Sequence, residues 1–181
     1  MLRRDLFIFA WLISFLMVSN ANALLESGTA APVFTTDVAL AGSTVSFVLT
    51  EALKKGPVVL YFYPKAFTSG CTVEAHLFAD ATEEFAKYKA TVIGISADNI
   101  ETLKKFSVEE CRNKFSVGAD PDGKIIKAYD AKLWFGGSTS KRASYVITPD
   151  GKVFYVFSSM SPKEHVSKTL EAVKAWKNNQ P

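Results

Sequence analysis

The stretch Pro57-Val-Val-Leu-Tyr-Phe-Tyr-Pro-Lys-Ala-Phe-Thr-Ser-Gly-Cys-Thr-Val-Glu74 decides how this chain is read. Pro57 to Tyr63 is a continuous apolar run, the pattern of a central strand covered on both faces. From Cys71 to Lys89 the apolar residues Val73, Leu77, Phe78, Ala81, Phe85 and Tyr88 recur at helical spacing, so a helix is expected there. Between strand and helix lie Pro64, Thr68 and Cys71, a P-x-x-x-T-x-x-C array. A cysteine opening a helix meets unpaired backbone N–H groups and the positive end of the helix dipole, both of which favour thiolate over thiol. The thiolate is the nucleophile, so this placement is an activation device.

Working outward, Thr91 to Ser96 is a second continuous apolar strand, and strand, helix, strand in this order implies a parallel crossover. Ala143 to Thr148 and Lys152 to Phe157 read as two further strands around the turn Pro149-Asp-Gly151. Val33 to Leu40 and Thr44 to Leu49 flank Ala41-Gly42-Ser43 and predict a hairpin ahead of the first core strand. A helix is expected from Asn99 to about Arg112. Another follows Ser161-Pro162-Lys163-Glu164, read as a capping box, with Val166, Leu170, Val173 and Trp176 as its apolar stripe. The class is α/β, a central mixed sheet with helices on both faces and a cysteine at the end of a strand, which is the thioredoxin-like arrangement. Cys71 is followed by Thr72, Val73 and Glu74, so there is no C-x-x-C pair for dithiol exchange within one motif.

The N-terminus reads as an address. Arg3 and Arg4 precede an apolar run of about 13 residues from Leu6 to Val18, and Ala21-Asn22-Ala23 is an A-x-A cleavage site. The run is shorter than the roughly 20 residues of a membrane span. Residues 1–23 are therefore expected to be a secretory leader cut after Ala23, with export to the periplasm or exterior and no stable membrane insertion after cleavage. Residues 24–181 suit one domain with a sufficient core. The net charge of +3 changes by one when Arg3, Arg4 and Asp5 leave, and the lysines are scattered, so nucleic acid is not an expected partner. With two histidines, His76 and His165, and two cysteines, Cys71 and Cys111, no clustered metal ligands are present in the sequence. An even cysteine pair in an oxidising compartment is also the composition of a structural disulfide. A non-catalytic thioredoxin-like binding or chaperone module stapled by that bond is the alternative to an enzyme.

Phe62 to Glu74 resembles the signature of the peroxiredoxins of the bacterioferritin-comigratory or Q type. The likeness extends to Ala31-Pro-Val-Phe34, Gly94-Ile-Ser-Ala-Asp98, Asp120-Pro-Asp-Gly123 and Arg142-Ala-Ser-Tyr-Val-Ile147. It implies a thiol peroxidase that acts on hydrogen peroxide and organic hydroperoxides without a prosthetic group or metal. Cys71 is then the peroxidatic cysteine, attacking the O–O bond and becoming a sulfenic acid. Arg142 is the cation that would stabilise the thiolate, brought to Cys71 if its strand is a parallel neighbour of Pro57 to Tyr63. Its other reading is a solvated strand-end charge. Thr68 can donate to and accept from a bound peroxide, or serve as a turn or N-cap residue. Pro64 shields the sulfur without offering an N–H, and Gly70 permits a sharp turn and leaves N–H groups open to substrate. Trp134 would wall the substrate pocket or cover the sheet edge.

Many relatives of this type carry a resolving cysteine five residues after the peroxidatic one, where this chain has His76. Cys111, 40 positions downstream, is the resolving candidate by the same resemblance, with a free or structural cysteine as the other reading. A disulfide needs Cα atoms within about 7 Å, so its formation requires local unwinding near one of the two cysteines. Ala66 and Ser69 replace the aspartate and proline common in the group, which predicts a more flexible loop. The resemblance further implies a thioredoxin-like or other dithiol reductant and a monomer or weak dimer. His165 reads as a lone residue on the last helix.

Overall fold

In the computed structural model, residues 24–135 and 137–180 are described; the expected leader, residues 1–23, lies outside them. A seven-stranded mixed sheet forms the centre, built from β1 (Thr35–Leu40), β2 (Ser43–Val48), β3 (Val58–Phe62), β4 (Thr91–Ser96), β5 (Ser116–Ala119), β6 (Ala143–Ile147) and β7 (Val153–Ser158) in the order β2-β1-β5-β4-β3-β6-β7. The helices are α1 (Leu49–Leu53), α2 (Ser69–Lys87), α3 (Ile100–Glu109), α4 (Lys124–Ala128) and α5 (Lys163–Asn178). Among the described residues no helix is long and apolar enough to cross a membrane.

Every residue of β3 and β6 is buried, because both faces are covered. Alternate residues divide between two apolar layers, as the two-residue period of a strand requires. Val59, Tyr61 and Tyr63 face a layer shared with α2, α3 and α5, whereas Val58, Leu60 and Phe62 face one shared with α1 and α4. Cys71 and Cys111 both lie in the first layer. The hairpin turns through Ala41 and Gly42, both with positive φ (49° and 78°), the pairing that matches strand twist in a two-residue turn.

β3 and β4 pair in parallel, as the strand–helix–strand reading requires. β6, in contrast, runs antiparallel to β3, with Ala143 opposite Phe62. The expectation of a parallel neighbour is thus corrected, and the correction explains the site. A parallel β6 would begin beside Val58 at the far edge, while the antiparallel one begins beside the end of β3, where α2 starts.

The predicted face of α2 is rotated. Cys71, Glu74, Ala75, Phe78, Ala79 and Phe85 are buried and Val73 is exposed, because a charged residue, Glu74, takes a core position that the apolar pattern could not assign to it. α3 ends at Glu109, short of the expected Arg112. Arg112 and Asn113 both adopt positive φ (51° and 60°), so Cys111 sits in an irregular turn and not in a helix. At α5, Pro162 has helical dihedrals, as a first-turn proline should, but the capping box is not made: Ser161 N–H donates to Ser159 Oγ and no side chain caps the helix. β5, α1 and α4 are elements of four or five residues that the periodicity did not signal.

Candidate active site

The end of β3, the first turn of α2 and the start of β6 meet at one point. Pro64 to Phe67 carries the chain from strand to helix, with Phe67 in the left-handed region (φ 63°) making the sharp bend. Gly70 is not that turn: it lies inside α2 without positive φ. Its requirement is steric, since a Cβ there would stand 3.0 Å from Nη2 of Arg142. Glycine lets the guanidinium lie against the first turn of the helix.

Arg142 is buried, so its reading as a solvated charge is excluded. Its Nη2 donates to Cys71 Sγ at 3.4 Å, Nη1 to Glu74 Oε2, and Nε to the Met160 carbonyl at 3.2 Å. Burial opposes its charge, but Glu74 and Cys71 more than offset that and hold its pKa above the ordinary value. Cys71 is 2 % exposed, in the first turn of α2. Thr68 and Ser69, three and two positions before it, are exposed, which makes the helix start the solvent side of the sulfur. Thr68 is the N-cap residue, yet its side chain caps nothing. Its hydroxyl donates to the Lys65 carbonyl at 2.9 Å, which leaves the first-turn amides without a side-chain acceptor and the hydroxyl oxygen able to accept.

The loop is pinned, despite Ala66 and Ser69. Asp98, just beyond β4, accepts from Ala66 N–H at 2.7 Å and from the Ser96 hydroxyl at 2.8 Å, and Ala66 is buried. A carboxylate reaching in from the next strand supplies the anchoring that the loop's own residues lack. Trp134 is 83 % exposed, too open to cover the sheet edge, and its ring packs edge-on against Phe135 at 5.1 Å.

Behind Arg142 lies a buried polar cluster that the sequence did not announce. Glu74 is fully buried, and its carboxyl is raised to about 8 by burial, partly countered by Arg142. Its Oε1 has no hydrogen-bond partner and lies 3.7 Å from Nδ1 of His165. His165, read as a lone residue, is fully buried on α5. Its Nε2 is 2.9 Å from the Ser159 carbonyl, and Nδ1 is 2.8 Å from Ser144 Oγ. Burial lowers its pKa to about 4, so it is neutral at pH 7. The available signal was its position: His165, Thr169 and Val173 share the buried face of α5, and a polar residue in an apolar stripe points to a buried partner.

Cys111 is buried and free, as is Cys71, so the cystine required by the alternative module is not formed. Burial, then the nearby Glu110, pushes the Cys111 thiol well above its ordinary pKa. Its neighbours are tied to α2: Glu110 to His76 at 2.6 Å and Arg112 to Asp80 at 2.6 Å. Among the described residues no group of three or more His, Cys, Asp or Glu is placed to hold a metal.

A thioredoxin-like sheet carrying one cysteine at a helix start, with an arginine donating to its sulfur and no C-x-x-C pair, defines the class as a thiol-based oxidoreductase site. Comparison with known proteins makes the class specific. Residues 27–156 match the model of the AhpC/TSA family. Peroxiredoxin Bcp of Bacillus subtilis is 34% identical over 155 residues, covering 83% of this chain and 96% of that one. The crystal structure of peroxidoxin BcpB from Mycobacterium tuberculosis superposes with a TM-score of 0.75 at 34% identity, over 83% of this chain and 97% of that one. The Xanthomonas campestris bacterioferritin comigratory protein, solved in work on its alkyl peroxide reduction activity, gives a TM-score of 0.68 at 27% identity, over 77% and 90%. The chain belongs to the AhpC/TSA family, among the peroxiredoxins of the bacterioferritin-comigratory or Q type, which are peroxidase oxidoreductases.

Proposed function

We propose that the protein reduces hydrogen peroxide and organic hydroperoxides through Cys71 and that Cys111 resolves the product. The observation that carries the reading is the 3.4 Å approach of Arg142 Nη2 to Cys71 Sγ at the N-terminus of α2. A cation and the helix end both stabilise negative charge on that sulfur. The thiolate attacks one peroxide oxygen, the S–O bond forms as the O–O bond breaks, and the departing alkoxide or hydroxide takes a proton from water. The Thr68 hydroxyl and the first-turn N–H groups are positioned to orient the peroxide, and Pro64 closes one side without competing as a donor.

Cys111 thiol then displaces hydroxide from the sulfenic acid, its proton leaving with the oxygen as water, and a Cys71–Cys111 disulfide remains. The irregular turn at Arg112 and Asn113 supports this role, because a segment outside regular helix opens at lower cost. A thioredoxin-like or other dithiol reductant returns both thiols and leaves oxidised. The work done on the Xanthomonas relative supports alkyl hydroperoxides as substrates. The leader-like residues 1–23 support export to the periplasm, and a monomer or weak dimer is the proposed state.

The test is thiol titration before and after one equivalent of peroxide in wild type, Cys71→Ser and Cys111→Ser. Wild type should lose two thiols, Cys111→Ser one, and Cys71→Ser none. Retention of both thiols in wild type while peroxide persists overturns the reading. Loss of one thiol in wild type retains Cys71 and removes Cys111 from the mechanism. Recovery of a periplasmic protein beginning at Leu24 supports export, and a full-length chain in the cytosolic fraction contradicts it.

A further inference from the structure

Two buried groups that can carry negative charge, Cys71 and Glu74, share one buried guanidinium. Arg142 is the only buried Lys or Arg among the described residues. Full ionisation of both acids would leave an uncompensated buried negative charge, a cost of several kcal/mol by the usual desolvation penalty. One guanidinium can balance only one of them, so a Cys71 thiolate beside Arg142 calls for a neutral Glu74. Resting on the assignment of Cys71 as the reacting sulfur, we propose that Glu74 is a neutral carboxylic acid in the reactive enzyme. Its proton lies on Oε1, facing His165 Nδ1, and the whole charge of Arg142 is left to Cys71 and the peroxide.

The placement of the proton follows from the partners. Oε2 accepts from Arg142 Nη1, as a carbonyl oxygen of the acid would. Oε1 is buried with no donor toward it, which costs a charged carboxylate oxygen far more than a neutral O–H. The imidazole tautomer is fixed by its neighbours. The Ser159 carbonyl can only accept, so Nε2 carries the hydrogen, and Nδ1 is left as an acceptor for the Ser144 hydroxyl. Glu74 Oε1 therefore stands 3.7 Å from a ring nitrogen that bears no hydrogen and whose lone pair already accepts from Ser144. That is outside hydrogen-bond range but repels a carboxylate and attracts an O–H dipole. The titratable and charged groups set against Glu74 are Arg142 ahead of β6, Tyr61 from β3, His165 from α5 and Cys71 one turn earlier on α2. Tyr61 and His165 are both neutral at pH 7, since burial raises the one and lowers the other. Burial also raises Glu74 to about 8, in agreement with the geometry. His165 is thus a positioning residue: it touches no reacting atom and acts by keeping the proton on Glu74.

The experiment uses the reduced, peroxide-free protein with isotope-labelled glutamate. Infrared spectra across pH should show the carbonyl band of one protonated glutamic acid at neutral pH, lost as pH rises through about 8. The band should be absent in Glu74→Gln. In His165→Asn, whose amide can turn a donor toward Oε1, the loss should move down by about one pH unit, since hydrogen bonding to the charged form lowers a carboxyl pKa. The rate of Cys71 oxidation should fall over the same pH range as the band in wild type and in His165→Asn. A wild type with no such band at neutral pH, or a band that survives Glu74→Gln, overturns the proposal. So does an unchanged midpoint in a folded His165→Asn protein. A correct band in a protein that does not consume peroxide would instead refute the peroxidase reading and leave the proton where it is placed.

Discussion

His165 offers a stability test that needs no substrate. The imidazole is fully buried, and its pKa is lowered from 6.5 to about 4, by burial first, with Arg142 adding to it and the Ser159 bond opposing. In the unfolded chain the ring takes up a proton as pH falls through 6.5, and in the folded protein it refuses one until about 4. The unfolded state therefore binds more protons in that window, so stability rises with pH across it and is lost on acidification. At about 1.4 kcal/mol per pH unit, the loss attributable to this ring is about 2 kcal/mol at about pH 5 and about 3 kcal/mol below 4. Glu74 titrates in the opposite sense: its folded pKa of about 8 lies above the ordinary 4.5, so its contribution falls as pH rises between them. The clean comparison is consequently Glu74→Gln against Glu74→Gln/His165→Asn, by urea unfolding at about pH 7 and about pH 5. The difference between the two proteins should change by about 2 kcal/mol between those conditions, with His165 losing its advantage in acid. A difference that is the same at both pH values would refute the buried, neutral arrangement.

In Gly70→Ala the helix-propensity gain of about 0.5–1 kcal/mol should be offset or exceeded by the disturbance of buried Arg142, so stability should not rise. The same substitution should slow Cys71 oxidation about tenfold, since the new Cβ would meet Arg142 Nη2 at 3.0 Å and displace it; stopped-flow kinetics and thermal melts separate the two. Arg142→Met should reduce the oxidation rate by about 100-fold or more, read with peroxide in excess, as expected when a donor to developing charge is removed. Asp98→Ala removes the acceptor for Ala66 N–H and the Ser96 hydroxyl and should destabilise by about 1–3 kcal/mol, with faster amide exchange at Ala66.

Much of the frame was legible in the residues. The continuous apolar runs that became β3 and β4, the strand before the Pro149-Asp-Gly151 turn that became β6, the hairpin at Ala41-Gly42 and the cysteine at a helix start all follow from period and turn chemistry. Elements of four or five residues, β5, α1 and α4, carry too little periodicity to declare themselves. Strand direction was not legible either: a buried strand reads the same both ways, and only the β6 pairing shows why Arg142 arrives at the right end of β3. The polar side of the site was the least visible. Glu74 and His165 are charged or titratable residues on helices, which composition places at the surface. Their burial arises from α2 and α5 packing on the same sheet face, a contact between residues 91 positions apart. Gly70 was singled out, but for a turn; its role lies in the space a guanidinium occupies from another strand. Trp134 drew attention as an aromatic before Arg142 and stands in solvent.

The most direct test is the mass of the intact protein and of its Cys71 and Cys111 peptides after one equivalent of peroxide. The account predicts that these two peptides become joined, with the loss of two hydrogens, and that Cys71→Ser abolishes the linkage and the peroxide consumption together. Unmodified peptides in the presence of remaining peroxide, or consumption that persists in Cys71→Ser, would contradict it.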